Sequence, residues 1–199
     1  MSWFYHLGKI LTGILYRSWY KVIYIGAENQ PRDGGYILCC NHRTNLDPIL
    51  IAQKLDRQLH FMAKEELFQN RFVGFILRKL GAFPVSRGKG DTGAMDFAAE
   101  TVRSGKVLAM FPEGTRSKDG TLLRPKSGAA LIASRTGADV LPAAIYFTGK
   151  LRFRSRIVIR YGKVIPNGEL AVREHSPSDI KAASRRIMDE IAALLEENG

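Results

Sequence analysis

Acidic side chains are scarce in this chain. Nineteen Asp plus Glu stand against 30 Lys plus Arg, a formal charge of +11. That imbalance predicts an anionic partner: nucleic acid, an acidic membrane surface or phosphorylated small molecules. Cysteine is nearly absent, and the two present, Cys39 and Cys40, are adjacent. Neighbours on a strand point to opposite faces, so a bond between them would be strained. The pair also lacks metal-ligand spacing, which excludes a disulfide framework and implies a reducing compartment. Long hydrophobic runs are missing too. Near the N-terminus the longest charge-free run is "ILTGILY", far short of the roughly 20 residues a spanning helix needs, and no secretory signal is visible. There is no G-x-x-x-x-G-K-[ST] phosphate loop and no G-x-S-x-G elbow, which argues against a serine acyl-enzyme of that type.

What is present suits one globular α/β domain. The length of 199 residues allows one sizeable core, and 45% hydrophobic content excludes a disordered chain. Strand-like and helix-like stretches alternate. "GGYILCCN" reads as a buried strand and "PILIAQKL" as a helix opened by Pro48. "QLHFMA" reads as a strand and "KEELFQNRFVGFILRKL" as one helix. "GAFPVSR" is a strand whose proline suggests an edge, "AMDFAAETVRSG" a helix closed by Gly105, and "KVLAMFPEG" a strand running into a loop. "SGAALIASRTG" is a helix, "VLPAAIYF" and "RIVIRYGKVI" are strands, and "SPSDIKAASRRIMDEIAALLEEN" is a closing helix with Ser176 as N-cap. The alternation predicts a single layered α/β domain with a mostly parallel central sheet flanked by helices.

Residues 1–23 form a candidate amphipathic element. Trp3, Phe4, Leu7, Ile10, Leu11, Ile14 and Leu15 recur at helical spacing, with Lys9, Arg17 and Lys21 between and after them. Such a segment can lie in a bilayer interface, with aromatic rings at headgroup level. The alternative is that this apolar stripe packs on the core.

The stretch "NHRTNLDP" separates His42 from Asp47 by five positions. On a helix that offset is about 500°, leaving the side chains about 140° apart; on a strand an odd offset puts them on opposite faces. A turn followed by a helix start can join them, with Asp47 as cap and Pro48 at the first helical position. A histidine held by a carboxylate can take a proton from a hydroxyl near neutral pH. The alternative is that Asp47 only caps its helix and His42 only bonds backbone. No other histidine lies at ligand spacing, so no metal is expected.

Three stretches suit an anion. "FPEGTRS" places Glu113, Gly114, Thr115 and Arg116 at a strand end, with Glu113 read as orienting a cation or accepting from a substrate hydroxyl. "RPKSGAA" places Lys126 near a helix start, and Arg87 ends "GAFPVSR". "GKGDTG" at 88–93 matches a dinucleotide fingerprint, but its preceding strand carries Pro84, so it reads as a loop. "KLRFRSR" alternates strictly, which would put Lys150, Arg152, Arg154 and Arg156 on one face of an extended segment. That stripe suits a membrane or an acidic carrier better than nucleic acid, since the nearby Phe153 points the other way.

Together, "NHRTNLDP", "GAFPVSR", "FPEGTRS" and "VLPAAI" resemble, in order, the four motifs of the glycerolipid acyltransferases. "FPEGTRS" resembles the 1-acylglycerol-3-phosphate branch. The resemblance covers roughly residues 24–167 and implies an acyltransferase domain over 24–199. It also implies that His42 deprotonates the 2-hydroxyl of lysophosphatidate while Asp47 holds it. Arg87, Glu113, Gly114, Thr115 and Arg116 would bind the glycerol phosphate, with Lys126 as helper. The expected co-substrate is acyl-CoA or acyl carrier protein, with no cofactor. The expected partners are a lysophospholipid, that donor and an anionic membrane surface, without nucleic acid. The expected location is peripheral, on the cytoplasmic face of the membrane. Another lysophospholipid or amino-acid lipid as acceptor, or a non-catalytic basic membrane-binding module, are the competing expectations.

Overall fold

A computed structural model describes residues 2–86, 92–172 and 176–197. Arg87 and residues 88–91 of the glycine-rich stretch lie outside the described residues, so the expectations placed on them are not addressed by the fold.

The fold is built on the fully buried strand β2 (Tyr36–Cys40). It pairs in parallel with β5 (Val107–Met110) on one side and β6 (Val140–Tyr146) on the other. Beyond β5 lie β3 (Leu59–Lys64) and then β4 (Ala82–Val85), also parallel. Beyond β6 lies β7 (Arg156–Tyr161), antiparallel to it, and then β1 (Lys21–Ile25), parallel to β7. The order is β1-β7-β6-β2-β5-β3-β4, the mostly parallel α/β sheet expected. β4 is the edge strand that its proline suggested.

Both faces of β2 are core, which is why its residues show no polar alternation. Ile37 and Cys39 face helices α4 (Thr92–Arg103), α5 (Gly128–Thr136) and α7 (Pro177–Glu196), which follows the short α6 (Asn167–Leu170). Leu38 and Cys40 face the opposite core with α2 (Asp47–Ala52). The two thiols are free and point apart, and burial pushes both well up.

Two element expectations need correcting. The stretch from Lys64 to Leu80 is not one helix. A 3-10 turn at Glu65–Phe68 ends before Asn70, whose Oδ1 accepts from the amides of Phe72 and Val73 and starts α3 (Arg71–Lys79). An N-cap competes with a continuous helix wherever its side chain satisfies the first free amides. Nor is "KLRFRSR" extended. Ser155 N–H donates to Arg152 O and Arg152 N–H to Ser155 Oγ, a turn in which Arg154 takes a left-handed φ of 62°.

The first helix, α1 (Trp3–Trp19), is oriented against the usual rule. Its polar and small side faces the domain: Tyr5 Oη accepts from Leu59 N–H, Lys9 Nζ donates to Leu55 O, and Thr12 Oγ1 accepts from Gln53. The large apolar residues Trp3, Ile10, Leu11, Ile14, Leu15 and Trp19 are exposed. The stripe therefore does not pack on the core. The helix ends at Trp19, and β1 spans the expected element boundary at 23/24. No described helix is long and apolar enough to cross a membrane.

Candidate active site

The site lies where β2 ends. Asn41, the next residue, is buried and continues the ladder with its side chain: Nδ2 donates to Ile145 O at 3.0 Å and Oδ1 accepts Ile145 N–H at 2.8 Å. The main chain of His42 is thereby released from β6 and bonded elsewhere. His42 N–H donates to Glu113 Oε1 at 2.8 Å, and His42 O accepts from Ser117 N–H at 2.8 Å.

Residues 43–46 then turn the chain, and α2 begins at Asp47. The carboxylate looks back over the turn instead of capping its own helix; Leu46 occupies the cap position without a side-chain bond. Asp47 Oδ2 accepts from His42 Nδ1 at 2.7 Å, Arg43 N–H at 2.7 Å and Thr44 N–H at 2.8 Å, and Oδ1 accepts from Thr44 Oγ1 at 2.6 Å. Its exposure is 0%, and that of the His42 side chain is 12%. An ionised carboxylate only accepts, so the proton between the two sits on Nδ1. The lone pair is then on Nε2. Phe111 stacks on the imidazole with centroids 4.0 Å apart at 18°. The ring is fixed by the carboxylate, by an aromatic face and by its backbone at both ends.

The loop after β5 frames this histidine. Glu113 is buried and uses both oxygens on amides, Oε1 on His42 and Oε2 on Leu123 at 2.9 Å. Both carboxylate oxygens are thereby engaged by main-chain amides, one of them that of His42. Gly114, Thr115 and Arg116 are the exposed bow between Glu113 and Ser117, the two residues bonded to the His42 main chain. Gly114 adopts φ 70°, and a Cβ there would come 3.1 Å from the Lys126 stem. Lys126 is exposed and lies against this bow, its N–H donating to Pro112 O at 2.7 Å. Arg116 and Lys126 thus flank the site as solvent-facing cations.

Sequence reasoning missed Thr44, Phe111, Ser117, Asn41 and Arg43. Arg43, next to His42 in the chain, lines a cavity of about 260 Å³ that neither dyad residue lines, its guanidinium 4.1 Å over the Phe147 ring. Asp119 lines the same cavity. The Thr121 hydroxyl and amide and the Ser117 hydroxyl hold its carboxyl at about 2, so it stays ionised. Only the periodic return of Thr44 three residues before Asp47, an ST-type turn signal, could have flagged any of these residues.

Comparison with known proteins identifies the family. The family model described as "Acyltransferase" matches residues 21–146. The chain belongs to the acyltransferase family. It is 33% identical to the 1-acyl-sn-glycerol-3-phosphate acyltransferase of Bacillus subtilis over 161 residues, 79% of this chain and 78% of the relative. To the enzyme of the same name from Streptococcus pneumoniae it is 32% identical over 173 residues, 83% of this chain and 62% of the relative. The crystal structure of the 1-acyl-sn-glycerophosphate acyltransferase of Thermotoga maritima superposes with a TM-score of 0.73 at 25% identity, covering 98% of this chain and 78% of that one. The matched family segment runs from β1 through β6 and so contains both His42 and the Glu113 loop.

Proposed function

We propose that this acyltransferase moves an acyl chain from a thioester donor, acyl-CoA or acyl carrier protein, to the 2-hydroxyl of lysophosphatidate, giving phosphatidate. The observation that carries the reading is the buried Asp47 bonded to Nδ1 of His42 at 2.7 Å. That bond leaves Nε2 as the one basic nitrogen. Nε2 takes the hydroxyl proton as the oxygen attacks the thioester carbonyl, and Asp47 stabilises the imidazolium that forms. The tetrahedral intermediate collapses, the C–S bond breaks, and the leaving sulfur takes the proton back from Nε2. Phosphatidate and the free thiol remain.

Roles follow from position. Thr44 and Glu113 hold the dyad and its main chain. Arg116 and Lys126 suit the acceptor phosphate, being exposed cations beside Gly114 in the segment bonded to His42. Thr115 and the backbone at Gly114 offer a hydroxyl and close approach beside them. Arg87 enters the reading by motif alone. The names of the relatives support the acceptor. The same reading has the protein act peripherally, on the cytoplasmic face of the membrane. The outward apolar side of α1 supports the membrane, and the paired free thiols of β2 support a reducing side.

An acceptor panel tests this. Purified protein is given an acyl thioester with lysophosphatidate, lysophosphatidylcholine, glycerol 3-phosphate or an N-acyl amino acid, and the lipid products are read by mass spectrometry. Phosphatidate should dominate. A faster reaction with another acceptor overturns the substrate assignment, and no thiol release with any of them overturns the activity.

A further inference from the structure

A second cationic site lies at the far end of the same sheet edge. β1 starts beside the start of β7, with Lys21 paired to Arg156. β7 runs antiparallel to β6, Val158 opposite Tyr146, and β6 runs parallel to β2, Ala143 opposite Cys40. The start of β1 therefore faces the same way as the end of β2, where His42 sits. Three strand spacings, about 14 Å, separate them across the sheet, and Lys21 is also displaced along the strand direction.

At that place a cavity of about 430 Å³ opens, lined by Arg17, Lys21, Lys54 and Arg154. The volume is within the range of about 300–1,000 Å³ usual for ligand sites. Among the described residues, none of these four cations forms an ion pair; the Arg pairs seen are Arg135–Asp96, Arg160–Glu197 and Arg186–Glu190. Four like charges around one space repel unless an anion joins them. The arrangement is also held by structure. Arg154 N–H donates to Trp19 O at 2.7 Å and Lys21 N–H to Ser155 O at 3.0 Å. Those bonds keep Arg154 in its left-handed conformation, which an L-residue adopts only under constraint.

The rim says what brings the anion. Trp19 and Phe153 meet edge-to-face at 5.2 Å and are 51% and 59% exposed. They continue the outward stripe of Ile14 and Leu15 on α1. Aromatic rings beside cations, at the end of an apolar stripe, suit the headgroup level of a bilayer, with the cations at lipid phosphate.

We infer that the cavity bounded by Arg17, Lys21, Lys54 and Arg154 is a phosphate site for the headgroup of an anionic bilayer lipid, separate from the acceptor site at His42. The inference rests on the reading that the protein works at a bilayer. It gives the molecule a second fixed point, which sets the catalytic edge facing the lipid surface.

The test compares the wild-type chain with Lys21→Gln/Lys54→Gln/Arg154→Gln and with a control of equal charge loss, Lys163→Gln/Lys181→Gln/Arg185→Gln. Partition is measured onto vesicles of phosphatidylcholine with and without phosphatidylglycerol, at physiological salt. The site variant should lose at least about tenfold of its partition onto the anionic vesicles and the control under about threefold, with unchanged circular dichroism in both. Equal losses in the two variants overturn the site and leave only general charge attraction. Failure of the wild type to bind either vesicle overturns the bilayer reading itself. A parallel arm follows thermal shift with adenosine 3′,5′-bisphosphate. A shift in the wild type that the site variant lacks assigns the cavity to the phosphates of a soluble donor and overturns the lipid assignment; no difference supports it.

Discussion

Asp47→Asn separates the charge of the dyad from its shape. The amide can keep its oxygen toward the three N–H donors of His42, Arg43 and Thr44, with its NH₂ toward Thr44 Oγ1. The threonine hydroxyl can turn to accept, although it already accepts from Leu46 N–H. Four charge-assisted bonds become neutral ones, at about 1 kcal/mol each, so stability falls by about 4 kcal/mol. For a chain of this size Tm drops by about 8–16 °C, and the fold survives. The catalytic loss is a different quantity. An imidazolium about 4 Å from a carboxylate gains about 4 kcal/mol at an effective dielectric of about 20, of which a neutral oxygen keeps about 1. The missing 3 kcal/mol or so applies only once His42 is charged, so it falls on kcat, about 10²-fold, and spares KM. Thiol release from an acyl thioester across lysophosphatidate concentrations measures both constants. A kcat within threefold of wild type in a folded variant would refute the role given to Asp47.

Two other substitutions probe the frame. Glu113→Gln turns an NH₂ toward one of the two amides the carboxylate serves, leaving a buried N–H unpaired at about 1–3 kcal/mol. Tm and kcat should both fall while the acceptor KM holds; a raised KM with unchanged Tm would return Glu113 to substrate binding. His60 on β3 addresses pH. Burial, and then the Lys106 charge, push its folded pKa below 6.5. As pH falls through that window the unfolded chain takes up a proton that the folded chain does not, so stability drops, by at most about 1.4 kcal/mol per pH unit, and recovers as pH rises. Denaturant midpoints of His60→Gln should depend less on pH between 7 and 5 than those of the wild type, and parallel curves would contradict the assignment.

The strands legible in the sequence were those with unbroken apolar runs, such as β2 and β6, where both faces are core. β1 escaped because "KVIYI" is a half-exposed edge and Lys21 read as the tail of the preceding helix. The pairing of His42 with Asp47 was legible because no regular element could join them and a turn before Pro48 could. That the carboxylate also takes the amides of Arg43 and Thr44 instead of capping its own helix was not, since a cap and a back-facing acid share one sequence pattern. The main-chain partners of Glu113 were hidden for a related reason. A buried acid bonded by two amides and an acid facing a ligand look alike until the distant amides of His42 and Leu123 are in place. "KLRFRSR" failed because alternation of charge says nothing of a left-handed residue, and Arg154 is one.

The account stands on His42 Nε2 as the base. His42→Ala, with its fold checked by circular dichroism and Tm, should release thiol from an acyl thioester and lysophosphatidate about 10²–10⁴ times more slowly than the wild type. Release within a few-fold of the wild-type rate by a folded variant would contradict it.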